Sequence, residues 1–159
     1  MKSWNEFALE DPELAKIGKE LLFRTRIGLA FLATLRKDGA PRLHPVSLFL
    51  CKDHLYVGIP ATSPKCGDLQ RDGRYALQAF PTPDGENQEF YIAGSAEAIQ
   101  DATTRQQIIQ EAQVQFGEDE MLFELLLDRA MHTKLENWGT PDERPVHKKW
   151  RATEPSTVQ

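Results

Sequence analysis

The fold is decided by three apolar segments joined by short polar turns, which lie in residues 28–59, GLAFLATLRKDGAPRLHPVSLFLCKDHLYVGI. The first segment, Gly28–Arg36, runs into Lys37-Asp38-Gly39, where Asp-Gly is a strong signal for a hairpin turn. Pro41–Cys51 follows at once, and a second short turn leads into Leu55–Ile59. Segments of this length between turns predict three successive antiparallel strands.

The flanking sequence predicts helices and further strands around this meander. An N-terminal helix is placed at about residues 12–25, because Asp11 can cap it and Pro12 suits its first position. The other predicted elements are a helix over 63–73, strands over 74–80 and 89–100, a loop over 81–87, a helix over 101–115, a loop over 137–143 and a last short strand over 145–151.

Residues 120–135 permit two interpretations. Met121–Leu127 is rich in residues of high helix propensity, which favours a helix. Phe123, Leu125 and Leu127 also follow a period of two, which is typical of a strand with one buried face. Local pattern alone leaves both structures open.

Length and charge limit the class of protein. A chain of 159 residues with 40% apolar and 27% charged residues predicts one globular domain, residues 1–159. Its net charge of −5 argues against nucleic acid as the main partner, because phosphate binding requires a basic face. We find neither an apolar run long enough to span a membrane nor a signal peptide at the start, so the predicted location is cytoplasmic.

The cysteines and histidines do not form a recognisable metal site. Two cysteines, Cys51 and Cys66, are too few for a disulfide framework, and we expect buried, reduced thiols. The four histidines share no ligand spacing. A three-ligand set of Cys51, His54 and Cys66 is the remaining alternative, and no metal site is predicted.

Thr62-Ser63-Pro64-Lys65 is the best candidate for a ligand site. Ser63 in the capping position exposes backbone N–H groups at the positive end of the helix dipole, and Lys65 adds a full charge beside them. Together they predict an anion site. An ordinary capped helix with a solvated lysine is the alternative.

Two other positions invite a functional interpretation. If Leu43 faces the core, Arg42 and His44 share the opposite face of their strand. Pro45 would disrupt a central ladder, so it indicates a sheet edge or a place where backbone meets a ligand. Trp150 stands among cations near the C-terminus, where an aromatic residue is more often a packing or interface residue.

A series of short motifs has a recognisable order. The motifs are Phe31–Leu35, Asp38–Pro41, His44–Val46, Leu55–Val57, Ser63–Lys65, Asp68-Leu69 and Arg74–Leu77. From about Leu29 to Gly94 this series resembles the pyridoxamine 5'-phosphate oxidase-like, FMN-binding split-barrel family. The resemblance implies a mainly β fold, a six-stranded antiparallel split barrel of Greek-key type with flanking helices, spanning about residues 28–151. The resemblance also implies that residues 122–125 form a late strand rather than a helix. It implies that residues 146–151 form the closing strand.

The family implies a homodimer that holds a flavin, FMN, between its subunits. Carried over by position, the expected cofactor-binding residues are His44, Pro45, Val46 and Ser47 on the second strand, Gly58 and Ile59 on the third, Ser63 and Lys65 at the phosphate, and Trp150 from the neighbouring subunit. No catalytic residue is identified.

Departures from the family pattern shape the expected function. True pyridoxamine phosphate oxidases have basic residues at the positions of His44, Phe49 and Pro64, so that substrate is not expected. The expected function is an FMN-dependent oxidoreductase acting on a small organic molecule. Alternatives are a deazaflavin-dependent reductase whose cofactor tail contacts Lys148, Lys149 and Arg151, a non-catalytic flavin or haem carrier or sensor, and a dimeric scaffold without a ligand.

Overall fold

The structure is a computed structural model that describes residues 1–81 and 87–153. The predicted loop over 81–87 lies outside the described residues from position 82 to position 86. The described elements, in chain order, are α1 (Trp4–Glu10), α2 (Pro12–Leu22), β1 (Gly28–Leu35), β2 (Pro41–Cys51), β3 (His54–Pro60), α3 (Pro64–Arg71), β4 (Arg74–Ala79), β5 (Gln88–Ala98), α4 (Ala102–Ala112), β6 (Glu120–Glu136) and β7 (Arg144–Arg151).

Six antiparallel strands form a closed barrel. The strand order is β3-β2-β1-β4-β5-β6, and pairing between β3 and β6 closes it. Three consecutive strands followed by a fourth that returns beside the first make a Greek key. The split-barrel expectation is therefore confirmed, with one correction. Residues 146–151 do not close the barrel, because β7 extends the sheet by pairing with the second half of β6.

Residues 120–136 form one long strand, so the helix interpretation from propensity is wrong. Phe123, Leu125 and Leu127 are all buried, as the period of two predicts. The pairing register with β5 then skips Asp128, which makes a β-bulge, and the buried position after it is Ala130. At the facing position of β5, a Cβ on Gly94 would lie 1.9 Å from the carbonyl oxygen of Leu126, so only glycine fits there.

Two N-terminal helices cover the barrel core. The sequence prediction missed α1, although Ser3 and Glu6 form a capping box at its start. Asp11 caps α2 as predicted, accepting a hydrogen bond from the backbone N–H of Leu14 at 3.0 Å, and α2 ends at Leu22, earlier than expected. Gly18 lets α2 approach the sheet, since a Cβ there would lie 2.2 Å from the ring of Phe90.

The other helices pack on the barrel as shorter elements than predicted. α4 packs through half-buried residues against a small apolar cluster, Cys51, Tyr56 and Leu122, outside the main core. It ends where Gln113 adopts a left-handed conformation, at φ 53°. None of the described helices is long and apolar enough to cross a membrane.

Candidate functional site

The barrel splits between β2 and β3. β3 pairs with β2 only from Val57 back to His54, opposite Leu48–Cys51, and its last residues pair with β6 instead. In the described part of the chain, β2 before Leu48 therefore has a strand partner on one side only, which is β1. We call this opening the split. Backbone groups of β2 that point into it have no strand to bond, which explains how Pro45 is tolerated there.

The four predicted residues of β2 line one side of the split with alternating side chains. His44 lies opposite the buried Leu32, and Val46 is itself buried, so both point inward. Pro45 and Ser47 point outward and are exposed. A ligand in the split can therefore meet all four residues through the backbone, but not through all four side chains.

Gly58 and Ile59 lie on the opposite side of the split, just after the last residue of β3 that pairs with β2. The side chain of Ile59 is fully buried in the core. Gly58 is covered on its outer surface by Phe116, because a Cβ would lie 2.5 Å from that ring. Phe116 lies under the guanidinium of Arg105, 4.8 Å from the ring centroid. No local signal in the sequence predicts this contact from the segment after α4.

Ser63 and Lys65 meet at the start of α3, directly after β3. Ser63 occupies the N-cap position, but its hydroxyl caps no backbone N–H of the helix. Instead it accepts a hydrogen bond from Lys65 Nζ at 3.2 Å. Ser63 therefore occupies the predicted N-cap position without making a capping hydrogen bond. A hydroxyl and an ammonium lie together at the positive end of a helix dipole, an arrangement suited to an anion.

A buried carboxylate anchors α3 beside the split. Asp68 is 4% exposed and accepts hydrogen bonds from Thr34 Oγ1 at 2.9 Å, Arg42 Nε at 2.7 Å and Arg71 Nη2 at 3.2 Å. Burial raises the pKa of Asp68, but the hydrogen bonds from Arg42, Thr34 and Arg71 outweigh it, and the pKa lies below its usual value. The sequence analysis did not predict this network.

The orientation of β2 at this point differs from the expectation. Leu43 faces solvent, with 63% exposure, instead of the core. Arg42 and His44 do share a face, as predicted, but it is the inward one, where Arg42 lies opposite the buried Thr34. The buried carboxylate of Asp68 is what makes an inward arginine acceptable.

Trp150 is not part of the split. Its indole N–H donates to Glu10 Oε2 at 3.0 Å, and its ring packs on Phe7 with centroids 4.8 Å apart. Trp150 therefore holds α1 against β7 within the subunit. Lys148 also turns toward the helices, where it forms ion pairs with Asp11 and Glu13.

The outward side of the sheet has an apolar and a basic half. Cross-strand register places residues of six strands in two adjacent rows, which we call the outer face. The first row is Leu43, Ala33, Ala76, Ala93, Arg129 and Arg151, and the second is Pro45, Phe31, Gln78, Tyr91, Met131 and Lys149. The apolar half, on β2, β1 and β4, also carries the stacked rings of Phe31 and Phe80, 4.4 Å apart.

The described cysteines and histidines form no metal site. Cys51 and Cys66 are free and buried, as predicted, and burial raises the pKa of both thiols. No group of three or more metal-ligating side chains occurs within residues 1–81 and 87–153. Three histidines bond to neighbouring side chains: His54 to Glu124, His132 to Gln88 and His147 to Thr133.

Comparison with protein families gives one match. Residues 19–138, well over half of the chain, match the family model described as pyridoxamine 5'-phosphate oxidase. The match contains the split, α3 and all six strands of the barrel. No curated protein matches the sequence.

Solved structures share the fold at low sequence identity. A heme binding protein from Mycobacterium smegmatis is 16% identical, with a TM-score of 0.58 over 82% of this chain and 56% of that one. HutZ, a heme storage protein from Vibrio cholerae, is 16% identical, with a TM-score of 0.54 over 74% of this chain and 89% of that one. An F420 reductase is 16% identical, with a TM-score of 0.52 over 70% of this chain and 94% of that one. These similarities establish a common fold.

Proposed function

This chain belongs to the pyridoxamine 5'-phosphate oxidase family, and we propose that it is an FMN-binding oxidoreductase that transfers hydride or electrons to or from a small organic substrate. The single observation that carries the proposal is the pair of Ser63 and Lys65 at the start of α3, next to the split. When bound, the flavin ring supplies the redox chemistry, and the protein supplies position and electrostatics.

The residues at the split suit a phosphate-bearing cofactor. Because Ser63 caps no backbone group, its hydroxyl is available to a ligand, and Lys65 provides the charge for a phosphate. Asp68 fixes the helix that carries both residues to β1 and β2. The unpaired edge of β2, from His44 to Ser47, offers backbone groups to the polar rim of a ring system. Gly58 and Ile59 complete the opposite side.

A homodimer is part of this proposal. The apolar half of the outer face exposes Leu43 by 63% and Leu29 by 38%, beside the stacked rings of Phe31 and Phe80. Exposed apolar groups that adjoin one another on a sheet are typical of an interaction surface. Burial of this half against a second copy would bring two subunits together beside the split. Trp150 would approach the flavin from the neighbouring subunit, while its indole N–H bonds to Glu10 and its ring packs on Phe7 within its own subunit.

The cofactor is tested by the absorbance spectrum of the purified protein, before and after excess FMN is added and the unbound part removed. We expect flavin bands near about 375 and 450 nm and one flavin per subunit, from the ring chemistry of a bound flavin. Mass spectrometry of the cofactor released by heat separates FMN from a deazaflavin. A protein that retains no FMN contradicts the proposal. Bound deazaflavin or haem would identify the corresponding alternative.

Catalysis is tested by anaerobic reduction of the bound flavin with reduced nicotinamide nucleotides and with artificial donors. Bleaching of the visible bands, followed by reoxidation with an added organic acceptor, is expected for an oxidoreductase. A flavin that no donor reduces would indicate a carrier or sensor.

A further inference from the structure

The segment between α4 and β6 packs against the end of β3 and the turn that leads from β3 into α3. Phe116 covers Gly58 on β3, where a Cβ would lie 2.5 Å from its ring. Further along the chain, the backbone N–H of Ala61 donates to the carbonyl oxygen of Asp119 at 2.8 Å. The end of β3 and the turn after it are therefore held at two points by this segment.

Arg105 on α4 holds this segment together. Its guanidinium lies over the ring of Phe116, 4.8 Å from the centroid, and its Nη2 donates to the carbonyl oxygens of Gly117 at 3.4 Å and Glu120 at 2.9 Å. The backbone N–H of Gly117 donates in turn to the carboxylate of Glu120 at 2.9 Å. A guanidinium suits this place because it is planar, stacks on rings and carries several donors. One half-buried side chain thus fixes both the ring on β3 and the turn beside Ala61.

The helix α3 is anchored at two different places. Asp68, in the middle of the helix, bonds to side chains of β1 and β2. At the start of the helix, the hydroxyl of Ser63 makes no capping hydrogen bond, and its backbone N–H bonds backward to the carbonyl oxygen of Pro60 at 2.9 Å. The position of Ser63 therefore depends on the residues before it, which the contacts of Arg105 hold.

We propose that Arg105 is a positioning residue for the phosphate site formed by Ser63 and Lys65. It acts through the segment between α4 and β6, which fixes the turn that carries both groups. The inference rests on the FMN-binding function proposed above, because it concerns how that same site receives the phosphate. Hydrogen bonds weaken steeply as their distance and angle depart from the optimum, so a looser turn lowers the affinity for phosphate.

The positioning step is tested without any ligand, by hydrogen exchange of the full chain followed by NMR. In Arg105→Gln the backbone N–H of Ala61 should exchange at least about tenfold faster than in the wild type, because the contacts that hold its acceptor are lost. The backbone N–H groups of β1 and β4 should exchange as in the wild type, since neither strand contacts this segment through Arg105.

The effect on the phosphate site is tested by fluorescence titration with FMN and riboflavin. Arg105→Gln should lower the FMN affinity by about tenfold, as the loss of a charge-assisted contact does. The riboflavin affinity should change little, because riboflavin has no phosphate. A merely structural role for Arg105 would lower both affinities alike.

Arg144→Gln is the matched control, because Arg144 pairs with Glu136 on the exposed hairpin of β6 and β7. Its Ala61 exchange rate and both flavin affinities should equal those of the wild type. If Arg105→Gln does not fold, Arg105→Lys takes its place in both experiments. Lysine keeps the charge but lacks the planar group that serves a ring and two carbonyls together.

The proposal is overturned if the Ala61 N–H of the Arg105 variant exchanges at the wild-type rate, if FMN and riboflavin lose affinity alike, or if Arg144→Gln has the same effects. A wild-type protein that binds no FMN would contradict the proposed function instead. The exchange rates would then still decide whether Arg105 fixes the turn, so the failures of the two proposals are distinguishable.

Discussion

The inward and outward faces of the barrel sheet use the same strands under different constraints. On the inward face Leu32, Leu77 and Ile92 are at most 1% exposed, and each fits a space left by its neighbours. On the outward face the rows change from leucine and alanine on β2, β1 and β4 to arginine and lysine on β6 and β7. The inward face therefore determines the fold, while the outward face is under less packing constraint.

Leucine on the two faces provides the largest expected contrast. Leu77→Ala removes a side chain that is 1% exposed and should lower the free energy of unfolding by about 4 kcal/mol, since a cavity remains. Leu43→Ala, at 63% exposure, should lower it by about 0.5 kcal/mol or less. Urea unfolding at low protein concentration measures both without a contribution from association. Equal losses would contradict the distinction between the faces.

Asp68 is a buried charged side chain of α3 that bonds to side chains of β1 and β2. Asp68→Asn should lower the free energy of unfolding by about 3 kcal/mol at neutral pH, because Arg42 loses the buried charge that it faces. Since the folded pKa of Asp68 is lowered, its stabilisation is present above the unfolded pKa of 3.8 and is lost as pH falls through the folded value. Urea unfolding across this acidic range should show the two proteins converging.

The matched control for Asp68 is Asp142→Asn, on an exposed loop. It should change the free energy of unfolding by no more than about 0.5 kcal/mol at any pH. If the stability difference between wild type and Asp68→Asn stayed constant down to strongly acidic pH, the charge of Asp68 would not be the source of its contribution.

Lys65 tests whether the split binds a phosphate. Lys65→Ala should weaken FMN binding by about 1 to 3 kcal/mol, through the loss of a charge-assisted contact. Riboflavin lacks the phosphate, so its affinity should not change. Fluorescence titration with both flavins measures this difference, and Lys16→Ala, an exposed lysine on α2, serves as control. Equal weakening of FMN and riboflavin would place Lys65 away from the phosphate.

Leu43 tests the proposed dimer surface. Leu43→Asp should raise the dimer dissociation constant by at least about tenfold, equivalent to about 1.4 kcal/mol, while the subunit stays folded. Sedimentation velocity over a range of concentrations measures the change. Leu9→Asp is the control, since Leu9 is 76% exposed on α1 and lies off the outer face. A dimer that tolerates Leu43→Asp would require a different interface.

Surface ion pairs should contribute least. Arg144 and Glu136 pair at 2.9 Å, with 70% and 41% of their side chains exposed. Arg144→Gln should change the free energy of unfolding by about 0.5 kcal/mol or less, because water competes for both groups. If Arg144→Gln lowered the free energy of unfolding as much as Asp68→Asn does, burial would not explain the difference between the Arg144–Glu136 and Arg42–Asp68 ion pairs.

Much of this architecture follows from local sequence. The Asp-Gly turn and the short segments of residues 28–59 predicted β1 to β3, and Asp11 caps α2 as expected. Asp101 caps α4 in the same way. The strand at 120–136 was obscured because leucine and methionine favour helices in isolation, while pairing with β5 and β3 decides the outcome. Its alternation was visible, but the family resemblance was needed to choose it.

The site was only partly accessible from sequence. Ser63 and Lys65 are two residues apart, so their proximity could be predicted. Asp68 meets Thr34 and Arg42 across separations of 34 and 26 residues, and no local pattern reveals which side of β2 faces inward. The contact between Trp150 and Glu10 spans 140 residues, so its partner could not be read from the cations beside it.

The bulge at Asp128 changes which residue numbers along the strand point toward the core. Before it, odd-numbered residues such as Leu125 and Leu127 belong to the core, and after it the even-numbered Ala130 does. Deletion of Asp128 would make the pairing with Gly94 and Ala93 continuous, and Leu127 and Ala130 would still point inward and Arg129 outward. The extra residue therefore changes the numbering of the inward positions and the local bend of the strand, while the inward and outward sets of side chains stay the same.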